Sequence, residues 1–371
     1  MRENHINSKE KIKIWFSRLW IIIYILTFVI YIVKPICFDV KIYLEAARRA
    51  NNLREFPHNI FQAWEHKYIL NRLLFYMIFK ITSLVISPNN IMLFELTIKT
   101  IYGILAIVII KCFSKSTKSF FEKYKIREPI VFGVLYISII GSNIYFTMQT
   151  EMTAFLITLI AIIFILKDKL IYKLISAFII STLFWFKGVT LLNAIIILIV
   201  MLIDKHPKKE IVFVICWSWI FLLSEILLVN YIEPNEIKNM YLSTQYLNNF
   251  NITKKIADYF TTLSSYSLLW IGLLVYIINF IYHIRTKNIK LLVLESLTWI
   301  ILLLGVYIQK LNYFYQIGLV ISGILFSIFI FLYYMNMHRE YQKKWDVILF
   351  FIMIFIILIV LKKEKFTFFL F

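Results

Sequence analysis

The sequence predicts an all-α, polytopic transmembrane protein with about eleven spans and further juxtamembrane helices along the outer face. Three observations predict it. Hydrophobic residue types make up 61% of the chain and charged types only 16%, whereas a soluble domain keeps roughly a quarter of its residues charged. The apolar residues fall in long continuous runs, many close to the ~20 residues that a spanning helix needs. The Lys and Arg residues gather in short stretches between those runs, as expected of loops held in the cytoplasm. Helices are the default because each backbone polar group then pairs within its own segment, and runs that do not alternate argue against a β-barrel. The same clustering accounts for the net charge of +19 without nucleic acid, which would call for a basic face or stripe.

The elements follow from the chain order. Lys9, Lys11, Lys13 and Arg18 form a basic tail over 1–18, before an apolar run at 20–37. No small-residue cleavage site follows that run, so it is expected to be a retained signal-anchor with a cytoplasmic N-terminus. The first extracytoplasmic loop, 38–90, holds a second apolar run at 68–86 that carries Arg72 and Lys80. The run at 91–110 ends in Lys111, Lys115, Lys118, Lys123, Lys125 and Arg127, a cytoplasmic cluster. An odd number of crossings must separate that cluster from the end of the first span. The run at 68–86 is therefore expected to lie on the outer face rather than cross. Spans are then expected at 129–147, 152–166, 174–186, 189–203 and 211–231. After a longer outer loop, 231–264, they continue at 267–282, 291–308, 317–334 and 347–361. Basic groups at 167–173, 205–209, 285–290 and 339–344 return to one side each time. The whole chain, 1–371, reads as one membrane domain of the plasma membrane. Neither internal repeats nor the Gly or Pro breaks of many transporters are visible within the spans. Cys37, Cys112 and Cys216 are scattered and fit neither a metal spacing nor a disulfide framework. No P-loop, zinc motif or nucleophile elbow is present.

Chemistry concentrates on the outer side. Asp39 closely follows the first span, and Tyr43, four residues on, shares its face if the segment is helical. Arg48, His66 and Arg72 follow, among aromatic residues including Trp64 and Tyr68. A carboxylate here suits a general base on an acceptor hydroxyl. Basic side chains suit a phosphate, and aromatic rings suit sugar faces. The same residues also suit an ordinary polar loop with aromatic anchors at the interface. Glu151 stands at a span entrance after a very short turn. Lys187 separates two short apolar runs, where a tight outer turn avoids most of the ~2.5–3.5 kcal/mol that a lysine costs at the centre of a spanning helix. The turn at 309–316 carries Lys310, Tyr313 and Tyr315. Each of these also has a plain reading, as a span-end acid, an interfacial lysine or an aromatic belt. Glu225, deep in a span, marks a polar interior. Glu95 and Lys99, four apart, read as a local ion pair.

In this order the features resemble the GT-C superfamily of membrane glycosyltransferases, which includes protein O-mannosyltransferases and lipid A aminoarabinose transferases. Asp39 and Tyr43 stand where the family has an acidic residue near the start of its first outer loop. The stretch Tyr68-Ile69-Leu70-Asn71-Arg72-Leu73-Leu74 stands where the family carries a short motif before an apolar run, although no proline follows Arg72. Lys99, Glu151, Lys187 and the late turn with Lys310, Tyr313 and Tyr315 fall in the family's order. The resemblance implies a GT-C-like fold and transfer of a sugar from a polyprenyl-phosphate donor, usually with inversion, to a lipid, glycan or protein acceptor. It implies Asp39 as the base or acceptor-orienting carboxylate. Lys187, Lys310 and Arg72 would meet the donor phosphate, with Tyr43, Arg48, His66, Tyr313 and Tyr315 lining the substrate site. Glu151 would shape the acceptor side or hold a divalent metal ion. Two other classes remain open. An O-antigen-type polysaccharide polymerase is expected to carry arginines in large outer loops, yet 233–264 has Lys238, Lys254 and Lys255 and no arginine. A transporter or flippase is the other.

Overall fold

A computed structural model describes residues 8–33, 44, 69–146, 150–186, 188–232, 256–257, 267–308 and 320–337. Among these residues the secondary structure is entirely helical. The helices are α1 (Ser8–Val33), α2 (Ile69–Ser83), α3 (Ile91–Ser116), α4 (Lys118–Lys123), α5 (Glu128–Phe146), α6 (Thr150–Ile165) and α7 (Leu170–Leu183). A 3-10 turn, Gly188–Asn193, then runs into α8 (Ala194–Ile203), followed by α9 (Lys208–Ile232), α10 (Ser267–Arg285), α11 (Ile289–Ile308) and α12 (Ile321–Met337). Three helical stretches, Ile91–Ser116, Lys208–Tyr231 and Ile289–Tyr307, are long and apolar enough to cross a membrane.

The basic turns gather at one end of the bundle. Lys111 meets Glu128 at 3.1 Å, Lys123 meets Asp204 at 2.6 Å and Lys173 meets Glu210 at 2.8 Å. Lys290 donates to the carbonyl of Leu202 at 3.0 Å, and Asn336 donates to that of Lys125 at 3.0 Å. Four turns far apart in sequence and the C-terminal end of α12 are thus tied into one basic end. The hydrogen bond to Asp204 pushes the Lys123 ammonium above its ordinary pKa.

Three of these turns use the same backbone device. Lys125, Lys205 and Lys287 have φ of 57°, 60° and 54°, the left-handed conformation that closes a helix C-terminus. In each, the next amide reaches back five residues to a helical carbonyl: Ile126 to Phe121, His206 to Met201 and Asn288 to His283. Glycine is the usual residue at this position. A lysine there accepts backbone strain of roughly 1–2 kcal/mol, so charge at this end prevails over backbone comfort.

Packing between helices depends on small residues, as it does where lipid removes the hydrophobic drive between helices. A Cβ added at Gly103 of α3 would come within 2.6 Å of the Phe28 ring and 2.7 Å of the Tyr31 ring on α1. A Cβ at Gly272 of α10 would meet Ile324 at 2.7 Å and the Trp299 ring at 3.0 Å. The larger core joins α1 to α9, and a second cluster around Trp299, Leu302 and Ile324 joins α10, α11 and α12. The larger core also takes in one face of α12, where the Phe121 and Phe329 rings lie 4.9 Å apart, and Ile328 of α12 packs against both clusters.

Helix lengths build a step at the far end. The 26 residues of α3 and the 25 of α9 run about 39 and 37 Å. The 16 residues of α6 and the 14 of α7 run only about 24 and 21 Å. All four have one end among the basic turns, and the Tyr102–Thr153 and Ser181–Glu225 hydrogen bonds set their levels, so the far ends of α6 and α7 fall about 12 and 8 Å short of α3 and α9. The run expected to lie on the outer face becomes α2, whose 15 residues extend about 22 Å. The turn from α2 to α3 leaves Leu84, Val85 and Met92 strongly exposed.

Candidate functional site

The step collects segments that the sequence keeps far apart. The Leu70 amide at the start of α2 donates to the Trp185 carbonyl, 3.3 Å away, in the turn after α7. Leu70 and Leu74 pack on Ala154 of α6 and on Leu183 and Phe186. The first turn of α6, which carries Glu151, therefore adjoins the beginning of α2 and the turn that leads to Gly188. Trp185 is itself clamped. Its indole N–H donates to Glu225 Oε2 at 2.7 Å, and the Ser181 hydroxyl donates to Glu225 Oε1 at 2.7 Å. Glu225 of α9 thus holds the turn through two charge-assisted hydrogen bonds. The Thr190 hydroxyl bonds back to the Leu183 carbonyl across the same turn.

The α1 side of the step holds a buried cation. Lys99 is 2% exposed and Glu151 is 1% exposed. The Lys99 ammonium donates to the Ile32 carbonyl of α1, and the Tyr31 hydroxyl donates to the Lys99 carbonyl at 3.0 Å. The pairing of Lys99 with Glu95 alone, expected from sequence, is therefore incomplete. Tyr102 and Thr153 share a hydrogen bond of 3.0 Å between α3 and α6. These helices run in the same direction, and Lys99 and Glu151 lie three and two residues before that bond. Both charges therefore occupy one level. Buried charges persist only when compensated, and the amide dipoles of the first turn of α6 favour the Glu151 carboxylate.

The sequence-derived residues divide sharply. Glu151 is brought to the step, and the backbone of α2 carries Arg72 there, two residues past the Leu70 contact. The side chain of Arg72 lies outside the described residues, as do Asp39, Tyr43, Arg48, His66, Lys187, Lys310, Tyr313 and Tyr315. Leu44, next to Tyr43, is buried in the main core, and Phe186 and Gly188 flank Lys187 at the step.

This chain matches no protein family, no curated protein and no solved structure.

Among the described residues no group of three or more His, Cys, Asp and Glu side chains is arranged to hold a metal ion.

A second polar cluster lies among α10, α11 and α12, and sequence reasoning missed it. His283 and Glu295 meet at 2.8 Å, and both side chains are fully buried. The other ring nitrogen of His283 meets the Tyr334 hydroxyl at 2.7 Å. The Asn279 amide donates to Glu295 Oε1 and to the Ser327 carbonyl, each at 2.8 Å. Trp299 donates to the Ser327 hydroxyl at 2.8 Å. One signal was available: Asn279 and His283 are four apart on one helix face, and Glu295 is the only acid in the apolar stretch of α11.

Proposed function

We propose that this chain is an integral membrane glycosyltransferase of the GT-C kind, with its N-terminus in the cytoplasm. It moves a sugar from a polyprenyl-phosphate donor to a lipid, glycan or protein acceptor. In this reading the Asp39 carboxylate takes the proton of the acceptor hydroxyl, whose oxygen attacks the anomeric carbon. The bond from that carbon to the carrier phosphate breaks, and Lys187, Arg72 and Lys310 receive the negative charge of the departing phosphate. Glu151 orients the acceptor, and Tyr43, Arg48, His66, Tyr313 and Tyr315 line the substrates.

The observation that carries this reading is the Leu70–Trp185 hydrogen bond beside the Ala154 contact. It joins segments that adjoin Arg72, Glu151 and Lys187, at the end of the bundle away from the basic turns. The test is transfer from a polyprenyl-phosphate hexose by the purified, reconstituted protein. Asp39→Asn and Glu151→Gln should abolish or strongly reduce transfer while leaving thermal unfolding unchanged. Full transfer by Asp39→Asn would end the assignment.

A transport function is the second reading, favoured by the fully buried His283–Glu295 pair, since ionisable groups inside a membrane often mark an ion or substrate path. Solute flux through proteoliposomes without any sugar donor, abolished by Glu295→Gln, would select it.

A further inference from the structure

A second site emerges at the basic end, distinct from the step. A cavity of about 300 Å³ opens among α3, α4, α5, α6, α8, α11 and α12. Its depth is apolar, with Leu135, Phe155, Leu159 and Leu325 among its walls, and Ser322 adds one hydroxyl. Its rim is polar, formed by Tyr124, Asn288 and Lys290. The Asn288 side chain accepts from the Leu291 amide at 3.3 Å, so the rim coincides with the start of a 20-residue helix and its positive dipole end. Lys290 is exposed, and its only described bond is to the Leu202 carbonyl, at 3.0 Å.

Water gains little inside such walls, because it needs two to four polar partners. An apolar cavity of about 150 Å³ holds a benzene ring, so this one has room for roughly a dozen carbons. A cationic rim over an apolar shaft is complementary to one kind of molecule: a hydrocarbon chain that ends in an anionic head. We propose that the cavity binds the chain of an anionic phospholipid from the leaflet at the basic end, with its phosphate on Lys290 and at the start of α11. A zwitterionic lipid also has a phosphate, but its choline cation offsets the attraction of the cationic rim, so the rim favours a head of net negative charge; a soluble anion lacks the apolar contact.

The probe is a phosphatidic acid carrying a diazirine near the end of its acyl chain, photolysed with the full chain in phosphatidylcholine nanodiscs. The expected result is labelling of peptides from α6 and α12 around Leu159 and Leu325. Excess unlabelled phosphatidic acid should compete and phosphatidylcholine should not. Lys290→Glu, a surface change, should weaken competition about tenfold, the effect of losing a charge-assisted hydrogen bond. Leu159→Trp should abolish deep labelling by filling the shaft. Deep labelling that phosphatidylcholine displaces equally, labelling that Lys290→Glu leaves unchanged, or absence of label from α6 and α12 would each overturn the proposal.

Discussion

The His283–Glu295 pair offers the sharpest test of how the α10–α12 half is held. Removing the Glu295 carboxylate as Glu295→Ala leaves the Asn279 amide without one of its two acceptors and His283 without its partner. Two scales compete for the magnitude. Interhelical hydrogen bonds in membranes average only about 0.6 kcal/mol, so two would give about 1.2 kcal/mol. Leaving a buried donor or acceptor without its partner costs about 1–3 kcal/mol for each group. Both side chains here are fully buried, and the second nitrogen of His283 is already committed to Tyr334. No solvent can take over from the missing group, so the larger scale applies, and about 3 kcal/mol is expected. Glu295→Gln, which keeps an acceptor for Asn279, should lose about 1 kcal/mol. The double variant Glu295→Leu with His283→Leu should cost well under the sum of the single changes, because neither buried polar group is left without its partner. The assay is reversible unfolding in mixed micelles, titrated with a denaturing detergent and followed by tryptophan fluorescence. An additive cycle, or a Glu295→Ala loss under about 0.5 kcal/mol, would refute this account.

Other outcomes follow from the remaining geometry. Glu225→Ala should release the Trp185 turn and lower stability by about 2–3 kcal/mol; a protease site engineered at the turn would be cut faster in this variant. Gly103→Val and Gly272→Val should each cost about 1–3 kcal/mol through overpacking, measured by the same unfolding titration. Lys205→Gly and Lys287→Gly should instead stabilise by about 0.5–1 kcal/mol each, because glycine adopts the left-handed conformation without strain. Asp204→Asn should change stability by under about 1 kcal/mol, since its Lys123 partner is exposed and such pairs contribute little.

Local patterns carried much of the fold. Apolar runs bounded by lysines marked α3, α9, α10 and α11, because hydropathy and charge are properties of single segments. The gathering of basic turns was equally legible, since each turn declares its own charge. What did not show was pairing between segments. Nothing near Glu225 in the sequence names Trp185 as its partner, 40 positions away, and the Leu70–Trp185 bond spans still more chain. The boundary at 174–186 also moved, to Leu170–Leu183, because Lys169 and Asp168 stay in the basic turn while the helix begins directly after them. Of the proposed site, Glu151 was visible as an acid at a helix start. The Glu95–Lys99 reading was incomplete because the carbonyl partner of Lys99 lies on α1, beyond the reach of an i, i+4 rule.

The shortness of α7 has a consequence for any bilayer around this protein. Leu170, Ile171 and Phe178 present apolar surface along a helix of about 21 Å, against a hydrocarbon layer of about 30 Å. Lipids meeting that flank must dip to match it, which draws their headgroups down toward Trp185. The membrane surface beside this flank would then form a shallow funnel whose floor lies near the Trp185 turn.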